Sequence, residues 1–240
     1  MDNNIFEKIF EGKNIRKISS EQCLTDYYKN QGHNIFKSAE LAQNNIINFI
    51  EFVNLSIRNS KELNVPFIFS FASKNIVEID NDYFVIKEIK KKLNVLDWKK
   101  FEELSSLIIE VCFGCIDTET TQYTADGGLD FEGKIPIKST STKKTYGFIE
   151  VYGQSKRYSG NVGIYDIKSF VAFANSKKRN YVHPAQLFMF FTSSDFAKNS
   201  RKELIDNGFI GLNGFQLSTL IFEHKEQLIE KSKIINDLIE

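Results

Sequence analysis

The 240-residue sequence lacks several features that would assign it to a particular class of protein. Its 31 basic and 31 acidic residues cancel, so overall charge indicates no nucleic-acid partner, and a DNA-binding surface would require local clustering. No window approaches the roughly 18 consecutive apolar residues of a membrane span. The first residues carry acids early and no apolar run, which argues against a signal peptide. We therefore expect a cytoplasmic protein with no membrane partner.

Cysteine is scarce, and several catalytic motifs are missing. Three cysteines are too few, and odd in number, for a disulfide framework. The pair in "CFGC", Cys112 and Cys115, has no second ligand pair to complete a zinc site, which favours the apolar end of a helix running into a glycine. The histidines are scattered, and neither a Walker loop nor a Ser-His-Asp constellation is present. A nucleotide-driven step would therefore need another protein.

Hydrophobic residues make up 42% of the chain, which suffices for a core, and the patterns divide it into two regions. Residues 1–94 are predicted to form a mixed α/β appendage. Helical spacing of apolar residues predicts a helix over 38–63, and alternation after it predicts a small β-hairpin or meander that turns at Asn81-Asp82. This region is a candidate for sequence recognition or for binding a partner protein.

Residues 95–240 are predicted to form an α/β domain with a mixed central sheet flanked by helices. A helix capped by Asp97 and ended by Gly114 comes first, followed by a loop-and-strand segment over 116–131 and a long connection. A strand over 146–158, a helix, a fully buried strand over 185–194 and a helix capped by Ser194 or Asp195 come next. A short strand and one long helix over 215–240 end the chain.

The strand around "EVYGQSKRY" places polar side chains on one face. Side chains alternate along a strand, so Glu150, Tyr152, Gln154 and Lys156 share one face while apolar neighbours share the other. Lysine is rarely buried without a partner, so its position at the end of an apolar strand requires an explanation. Either the face is simply exposed to water, or it lines a functional site.

The stretch "DGGLD" supplies a second half of such a site. Gly127 and Gly128 permit a turn that other residues resist, and Asp130 follows where a strand begins. Mg²⁺ or Mn²⁺ binds oxygen ligands, which the Asp130 carboxylate and the Gln154 amide carbonyl supply. Lys156 adds a positive charge that orients water or stabilises a phosphate in the transition state. The alternative is a glycine-rich turn without catalytic function.

Several segments occur together in a telling order: "FEELSSLIIEVCFG", "TADGGLD", "YGQSKRY", "VGIYDIKSFVAFAN", "FMFFTSSDFAKNSRKEL" and "IGLNGFQLSTLI". In order and spacing, residues 98–222 resemble the Mrr-like restriction endonuclease domain of the PD-(D/E)XK nuclease superfamily. The resemblance implies a PD-(D/E)XK core and a Mg²⁺-dependent endonuclease acting on DNA in restriction or anti-phage defence. The first ninety or so residues show no such resemblance.

The resemblance also implies a role for each matching residue. Asp130 matches the catalytic Asp, Gln154 and Lys156 match the QxK pair, and Glu102 matches the acid on the preceding helix. Asp130 and Gln154 would bind the metal. The residues implied to support the site are Asp126, Thr192, Ser193 and, nearby, Ser194.

Two departures from the family pattern concern the strand that carries the QxK pair. Gly153 stands where the family tends to have an apolar side chain, and the linker between Asp130 and Gln154 is long. Glu150 is a rival metal ligand on the same face. Glu150 lies six residues before Lys156, and at about 3.3 Å per residue along a strand this is too far for both side chains to belong to one metal site.

Basic clusters within the second region are candidates for contacts with DNA phosphates on either side of the site. Each could equally be a solvated loop. Two copies are usual when a chain with one site cuts both strands, so a homodimer is expected. The candidate DNA-binding residues are Lys143, Lys144, Arg157, Lys177, Lys178 and Arg179.

Three other interpretations stay open at this point. The same core would suit a nuclease directed at junctions or at RNA. A non-cutting DNA-binding or scaffold subunit would keep the fold and lose the activity. Finally, an unrelated α/β protein could carry the short motif by chance.

Overall fold

The computed structural model describes residues 1–13, 15–73, 75–121, 128–177 and 185–239. The chain divides into two compact units, Met1–Ile86 and Lys87–Glu240. The predicted boundary after residue 94 falls within the helix Asn81–Val95. Among the described residues, no helix is both long and apolar enough to cross a membrane.

The first unit combines helices with a three-stranded antiparallel sheet in the order β1-β3-β2. The predicted helix over 38–63 is confirmed as α3, which begins slightly earlier, where the Asn34 side chain accepts a hydrogen bond from the Lys37 amide (2.9 Å). Phe6, Phe49 and Phe69 are buried and pack ring against ring. The elements are α1 (Asn3–Phe10), β1 (Lys17–Ser19), α2 (Ser20–Asn30), α3 (Ile35–Leu63), β2 (Phe69–Ser73) and β3 (Ile76–Ile79).

The hairpin predicted to turn at Asn81-Asp82 is wrong in its position. The strands that pair as a hairpin are β2 (Phe69–Ser73) and β3 (Ile76–Ile79), and the later segment forms the helix α4 (Asn81–Val95). The Asp80 carboxylate accepts a hydrogen bond from the Asp82 amide (3.0 Å), which satisfies a free donor at the helix start. Side chains then recur with helical spacing, and the buried ones are Tyr83, Ile86, Ile89 and Leu93.

The second unit contains a five-stranded mixed sheet in the order β4-β5-β6-β7-β8. The first three strands pair antiparallel, and β6, β7 and β8 pair parallel. The predicted fold class, a mixed α/β sheet flanked by helices, is confirmed. The elements are α5 (Trp98–Phe113), β4 (Ile116–Thr120), β5 (Phe131–Lys138), β6 (Thr145–Lys156), α6 (Ile164–Lys177), β7 (Ala185–Thr192), α7 (Lys198–Asp206), β8 (Ile210–Leu212), α8 (Gly214–Glu223), α9 (Lys225–Lys231) and α10 (Ile234–Ile239).

Both faces of this sheet are covered by helices, as the apolar character of β7 predicts. Val151 and Phe191 belong to a core that includes residues of α5, α8, α9 and α10. The next residue along β7, Phe190, belongs to the opposite core, which includes Phe170 of α6 and Leu204 of α7. Successive side chains of the central strands therefore pack into opposite cores. The polar residues predicted for the site lie where β6 ends.

The helix α5 forms as predicted. The Asp97 side chain accepts from the Lys99 amide (2.9 Å), and Gly114 ends the helix at a left-handed φ of 68°. Cys112 and Cys115 are free thiols at this end. Burial raises the pKa of Cys115 to about 11, which keeps it protonated and fits the structural interpretation of "CFGC".

The predicted connection over 132–145 is wrong, since its first half is strand β5. This strand pairs with β4 on one side and β6 on the other, and buried residues alternate with more exposed ones over its first four positions, 131–134. Pro136 obscured it, because proline lacks the N–H of a central strand. Within the described residues, pairing with β4 ends at Lys134, so Pro136 has only β6 as a neighbour.

Two predictions about the C-terminal helices also need correction. The helix α7 begins after Ala197, with no side-chain cap, because the Asp195 carboxylate instead binds the Arg201 guanidinium (2.8 Å) and the Asn213 amide (3.1 Å). The predicted single terminal helix is divided into α8, α9 and α10. Its first break is at His224, and its second follows the extended backbone of Ser232.

Candidate active site

Asp130 lies immediately before β5 and is held by the neighbouring strand β6. Its amide donates to the Gly153 carbonyl (2.9 Å), and its carboxylate Oδ2 accepts from the Ser155 amide (2.7 Å) and the Ser155 hydroxyl (3.3 Å). No residue in the described part of the chain donates to Oδ1. One oxygen of the Asp130 carboxylate is therefore fixed by Ser155 of the neighbouring strand.

Gln154 and Lys156 lie on one face at the end of β6, as the alternation predicts. Gln154 is buried, with 7% of its surface exposed, and Lys156 is half-buried. Lys156 is in register with Thr192 of the parallel strand β7, and side chains of such pairs point to the same face. The two strands thus bring the predicted QxK pair to one edge of the sheet, one residue on either side of the serine that binds Asp130.

Gly128 has two functions in the turn before Asp130. Its φ of 92° lies in the left-handed region, which favours glycine. It also lies against the Gln154 side chain, where an added Cβ would overlap the amide nitrogen. The sequence predicts the turn, but only the structure shows that the glycine makes room for Gln154.

Glu102, on α5, interacts electrostatically with Asp130 and Lys156. Burial and then the Asp130 charge raise the pKa of Glu102 to about 7, and the Lys156 ammonium partly offsets this. Burial also raises the pKa of Asp130, whereas the Ser155 amide and Lys156 act to lower it. The carboxyl groups of Glu102 and Asp130 therefore interact with the Lys156 ammonium, and burial disfavours the negative charge on both carboxyl groups.

The Thr/Ser-rich segment after β7 supports the end of β6. The Thr192 hydroxyl lies 3.0 Å from that of Ser194, and both side chains are buried. Ser193 donates from its amide to the Lys156 carbonyl (3.3 Å) and from its hydroxyl to the Tyr158 carbonyl (3.3 Å). These bonds fix the backbone that carries Lys156. Asp126, predicted to support the site, lies outside the described residues.

Glu150, the rival ligand, faces a different cavity of about 230 Å³. Its carboxylate accepts from the Tyr152 hydroxyl (2.9 Å) and the Gln186 amide (3.5 Å). Other charged residues line that cavity: Asp117, Glu119, Glu132 and Lys134. Neither Asp130 nor Lys156 lines it.

The candidate DNA-binding residues occupy three separate places. Lys143 and Lys144 lie at the tip of the β5–β6 hairpin. The Arg157 guanidinium donates to the Asn94 carbonyl (3.1 Å), and the Lys177 ammonium lies 5.4 Å from the Tyr152 ring centre. Lys178 and Arg179 lie outside the described residues.

Sequence reasoning did not identify Ser155 as part of the site. It lies between Gln154 and Lys156 but on the strand face shared with Gly153 and Val151, which is otherwise apolar. A buried hydroxyl on an apolar face, between two candidate catalytic residues, was the available signal. Its partner lies 25 residues earlier, so only the β5–β6 pairing reveals the contact.

Comparison with known proteins identifies the second unit. A family model described as a restriction endonuclease, Mrr_cat, matches residues 93–221, more than half of the chain. The chain belongs to this Mrr-type restriction endonuclease family. Members are DNA-cleaving hydrolases, and domains of this kind generally use divalent metal ions. The match includes Glu102, Asp130 and the QxK strand.

Two solved structures are similar to the Mrr-type chain. One is the MspJI restriction endonuclease in complex with a 27-mer oligonucleotide, at 19% identity and a TM-score of 0.43. The other is the DNA modification-dependent restriction endonuclease AspBHI, at 14% identity and a TM-score of 0.41. Each likeness covers 65% of this chain but only 33% and 39%, respectively, of those chains. Comparison with curated protein sequences gives no significant match.

The Ser155 hydroxyl provides a test of how Asp130 is positioned. We expect Ser155→Ala to raise the Mg²⁺ concentration needed for half-maximal cleavage, because the carboxylate loses one of two donors from this residue. The rate at saturating Mg²⁺ should change less, and Ser155→Thr should restore the metal requirement. A metal titration of cleavage rates distinguishes this role from a purely structural one. In a structural role, both variants would track thermal stability and leave the metal midpoint unchanged.

Glu102 should make the stability of the metal-free protein depend on pH. Its folded-state pKa of about 7 lies above its ordinary 4.5, so the folded state binds the proton more tightly. The resulting stability is fully present below pH 4.5 and is lost as pH rises through 7. In EDTA, Glu102→Gln should therefore raise Tm more at pH 8 than at pH 5, as measured by thermal unfolding. An equal effect at both pH values would contradict the electrostatic coupling.

Proposed function

We propose that this Mrr-type protein is a metal-dependent endonuclease that hydrolyses DNA phosphodiester bonds at the group formed by Asp130, Gln154, Lys156 and Glu102. The observation that carries the proposal is the junction of β5 and β6. There, Ser155 holds one oxygen of the Asp130 carboxylate while the residues on either side of Ser155 are the QxK pair. Family membership supplies the DNA-cleaving chemistry for which this arrangement is suited.

The donor set fits a hard divalent cation such as Mg²⁺ or Mn²⁺. Asp130 supplies a carboxylate oxygen, and the Gln154 amide supplies a neutral one. The raised pKa values of Asp130 and Glu102 support a cation here, because a positive ion would relieve the cost of their burial and, for Glu102, the repulsion from Asp130. No group of three or more His, Cys, Asp or Glu residues suited to a metal occurs among the described residues.

The residues would act together on a phosphodiester bond. A bound cation supplies Lewis-acid stabilisation of the phosphate and a water of lowered pKa. Asp130 and Gln154 would hold and orient it, with Glu102 alongside. The Lys156 ammonium would orient the attacking water and stabilise negative charge that develops on the phosphate oxygens. Hydrogen bonds from Ser193 and Ser155 would keep these groups at fixed separation.

Cleavage of plasmid DNA tests the proposal. Purified protein should convert supercoiled plasmid to nicked or linear forms with Mg²⁺ or Mn²⁺ and leave it intact in EDTA. Methylated and unmethylated plasmid, branched DNA and RNA should be digested in parallel, since the same core would suit substrates of each kind. Cleavage of RNA or junctions alone would replace the proposed substrate. Binding without cleavage under every condition would indicate a non-cutting subunit.

We also propose a role in restriction or anti-phage defence, together with a homodimeric assembly. Double-strand cleavage by a chain with one site requires two copies, or two successive events, on opposite strands. Residues 1–94 would then recognise sequence or bind a partner protein. The support is the family match, which begins only at residue 93 and leaves the first region free for another function.

A further inference from the structure

The β5–β6 hairpin continues well past its neighbouring strands. In the described part of the chain, β4 pairs with β5 only up to Lys134, and β7 pairs with β6 only from Ile149. Within the described residues, 135–148 therefore pair only within this hairpin, and this segment is here called the β5–β6 ribbon. This segment accounts for the long linker between Asp130 and Gln154 noted in the sequence.

The ribbon carries charge of one sign. Residues 135–148 contain three lysines and neither Asp nor Glu, in a chain whose net charge is zero. At its base the sign reverses, because Glu132 and Glu150 line the acidic cavity and Lys134 pairs with Asp117 (3.2 Å). Positive charge is therefore concentrated on the projecting part. The lysines are Lys138, Lys143 and Lys144.

The ribbon also exposes apolar side chains that would ordinarily be covered. Tyr146 is 73% exposed, Ile137 48% and Phe148 41%. A register shift between Ile137 and Lys138 accompanies Tyr146, which lies between the paired residues Thr145 and Gly147. Such an irregularity redirects a side chain and is common near functional sites.

The tip of the ribbon is ordered by its own hydrogen bonds. The Ser139 amide donates to the Lys144 carbonyl (2.9 Å), and the Lys143 amide donates to the Ser139 carbonyl (3.0 Å). The Ser139 hydroxyl accepts from the Thr142 amide (3.2 Å). Lys143 adopts a left-handed φ of 58°, which fixes the direction of the adjacent lysine. The cationic tip is therefore preorganised before any ligand binds.

We infer that the β5–β6 ribbon binds duplex DNA, with its lysines on backbone phosphates and Tyr146 within a groove. Charge complementarity selects a polyanion, and a two-stranded ribbon fits the major groove, which is about 12 Å wide. The inference deepens the proposed function and rests on it, since it names an element that would hold the substrate of that same site.

The ribbon lies far enough from the catalytic group to be tested separately. Ten residues of β6 separate Tyr146 from Lys156. At about 3.3 Å per residue this is about 33 Å, close to the roughly 34 Å of one turn of B-form DNA. A duplex at the site would thus reach the ribbon about one turn away. Substitutions at the tip should leave the catalytic group intact.

The first test compares two triple variants with equal change in charge. The ribbon variant carries Lys138→Gln, Lys143→Gly and Lys144→Gln, in which glycine suits the left-handed φ at 143. The control variant carries Lys202→Gln, Lys225→Gln and Lys233→Gln, on other surfaces of the same unit. Binding of a fluorescent duplex of about 30 bp, roughly three helical turns, is measured by anisotropy in EDTA across salt concentrations.

We expect the ribbon variant to bind at least ~10-fold more weakly at low salt, and its log–log salt slope to fall by about 2–3, at about 0.9 per lost phosphate contact. The control variant should match the wild type. Tyr146→Ala should weaken binding without changing the salt slope, because it carries no charge. Wild-type affinity in the ribbon variant, or an equal loss in the control, would overturn the inference. Wild-type affinity in Tyr146→Ala would exclude the groove contact.

Cleavage and RNA binding separate this inference from the proposed function. In the ribbon variant, KM for DNA should rise while kcat at saturating DNA stays near that of the wild type. Ribbon-dependent DNA binding without any cleavage by the wild type would contradict the nuclease and leave the inference standing. DNA cleavage by the wild type, together with unchanged DNA affinity in the ribbon variant, would contradict the inference and leave the proposed nuclease standing. If the ribbon variant lost affinity only for duplex RNA, whose major groove is deep and narrow, the choice of DNA as the ligand would be overturned.

Discussion

Lys156→Ala and Asp130→Asn should each reduce the rate of DNA cleavage by at least ~10²–10³-fold, since under the proposed function each removes a charge that would stabilise the transition state or bind the cation. DNA affinity in EDTA should change far less, because binding depends mainly on other phosphate contacts. Asp130→Asn retains an oxygen that can accept from the Ser155 amide, so the fold should persist. Cleavage rates with Mg²⁺ and Tm values measure the two effects separately.

Glu150→Gln provides the matched control for these variants. It alters another acid on the same face of β6, but one whose carboxylate binds Tyr152 and lines the separate cavity. We expect it to cut DNA at a rate close to that of the wild type. Equal cutting by all of these proteins would indicate a contaminating nuclease or another site. Loss of cutting only in Glu150→Gln would move the metal site to the other cavity.

Among the variants proposed here, Gly153→Ala should lower the free energy of unfolding most. A Cβ at this position would lie well inside van der Waals contact with the Phe131 ring, which is fully buried and packs on Phe191 (ring centres 4.9 Å apart). Overpacking of this kind costs about 1–3 kcal/mol of the free energy of unfolding. Urea unfolding followed through Trp98, the only tryptophan, reports on this unit.

Gly147→Ala is the control on the same strand, because a Cβ there meets nothing within 4 Å. It should change stability by no more than about 0.5 kcal/mol. Combining Gly153→Ala with Phe131→Leu should cost less than the sum of the two single variants, since the smaller side chain removes the overlap. Strictly additive effects would show that the ring is not the cause. Metal-dependent cleavage should fall with Gly153→Ala as well, because the Gly153 carbonyl binds the Asp130 amide (2.9 Å).

The Gly153 example explains a departure from the family pattern. The sequence shows only that an apolar side chain is missing before Gln154. In the structure, the Phe131 ring from the neighbouring strand occupies that space. The apolar volume is thus supplied by the residue directly after Asp130, which is in register with Gly153. A cross-strand exchange of this kind has no signature in either segment alone.

Elements governed by local chemistry were predicted well. The helix α5 was identified from Asp97 and Gly114, because capping side chains and left-handed glycines act within one turn. Strand β7 was identified from an unbroken apolar run, and the polar face of β6 from alternation. The errors fell where tertiary contacts outweigh local preference, as in β5, where a proline and a glycine concealed a strand held by two neighbours.

The sequence by itself determined the helix α5, the strand β7 and which side chains of β6 share a face, because capping and periodicity are properties of one segment. It also sufficed, through the resemblance, to indicate an Mrr-type nuclease. Only the tertiary structure decided that Ser155 binds Asp130, that the Asp130 charge acts on Glu102, and that residues 131–138 and 145–153 pair as neighbouring strands. Each of these depends on residues far apart in the chain being brought together by strand pairing and helix packing, which local patterns do not encode.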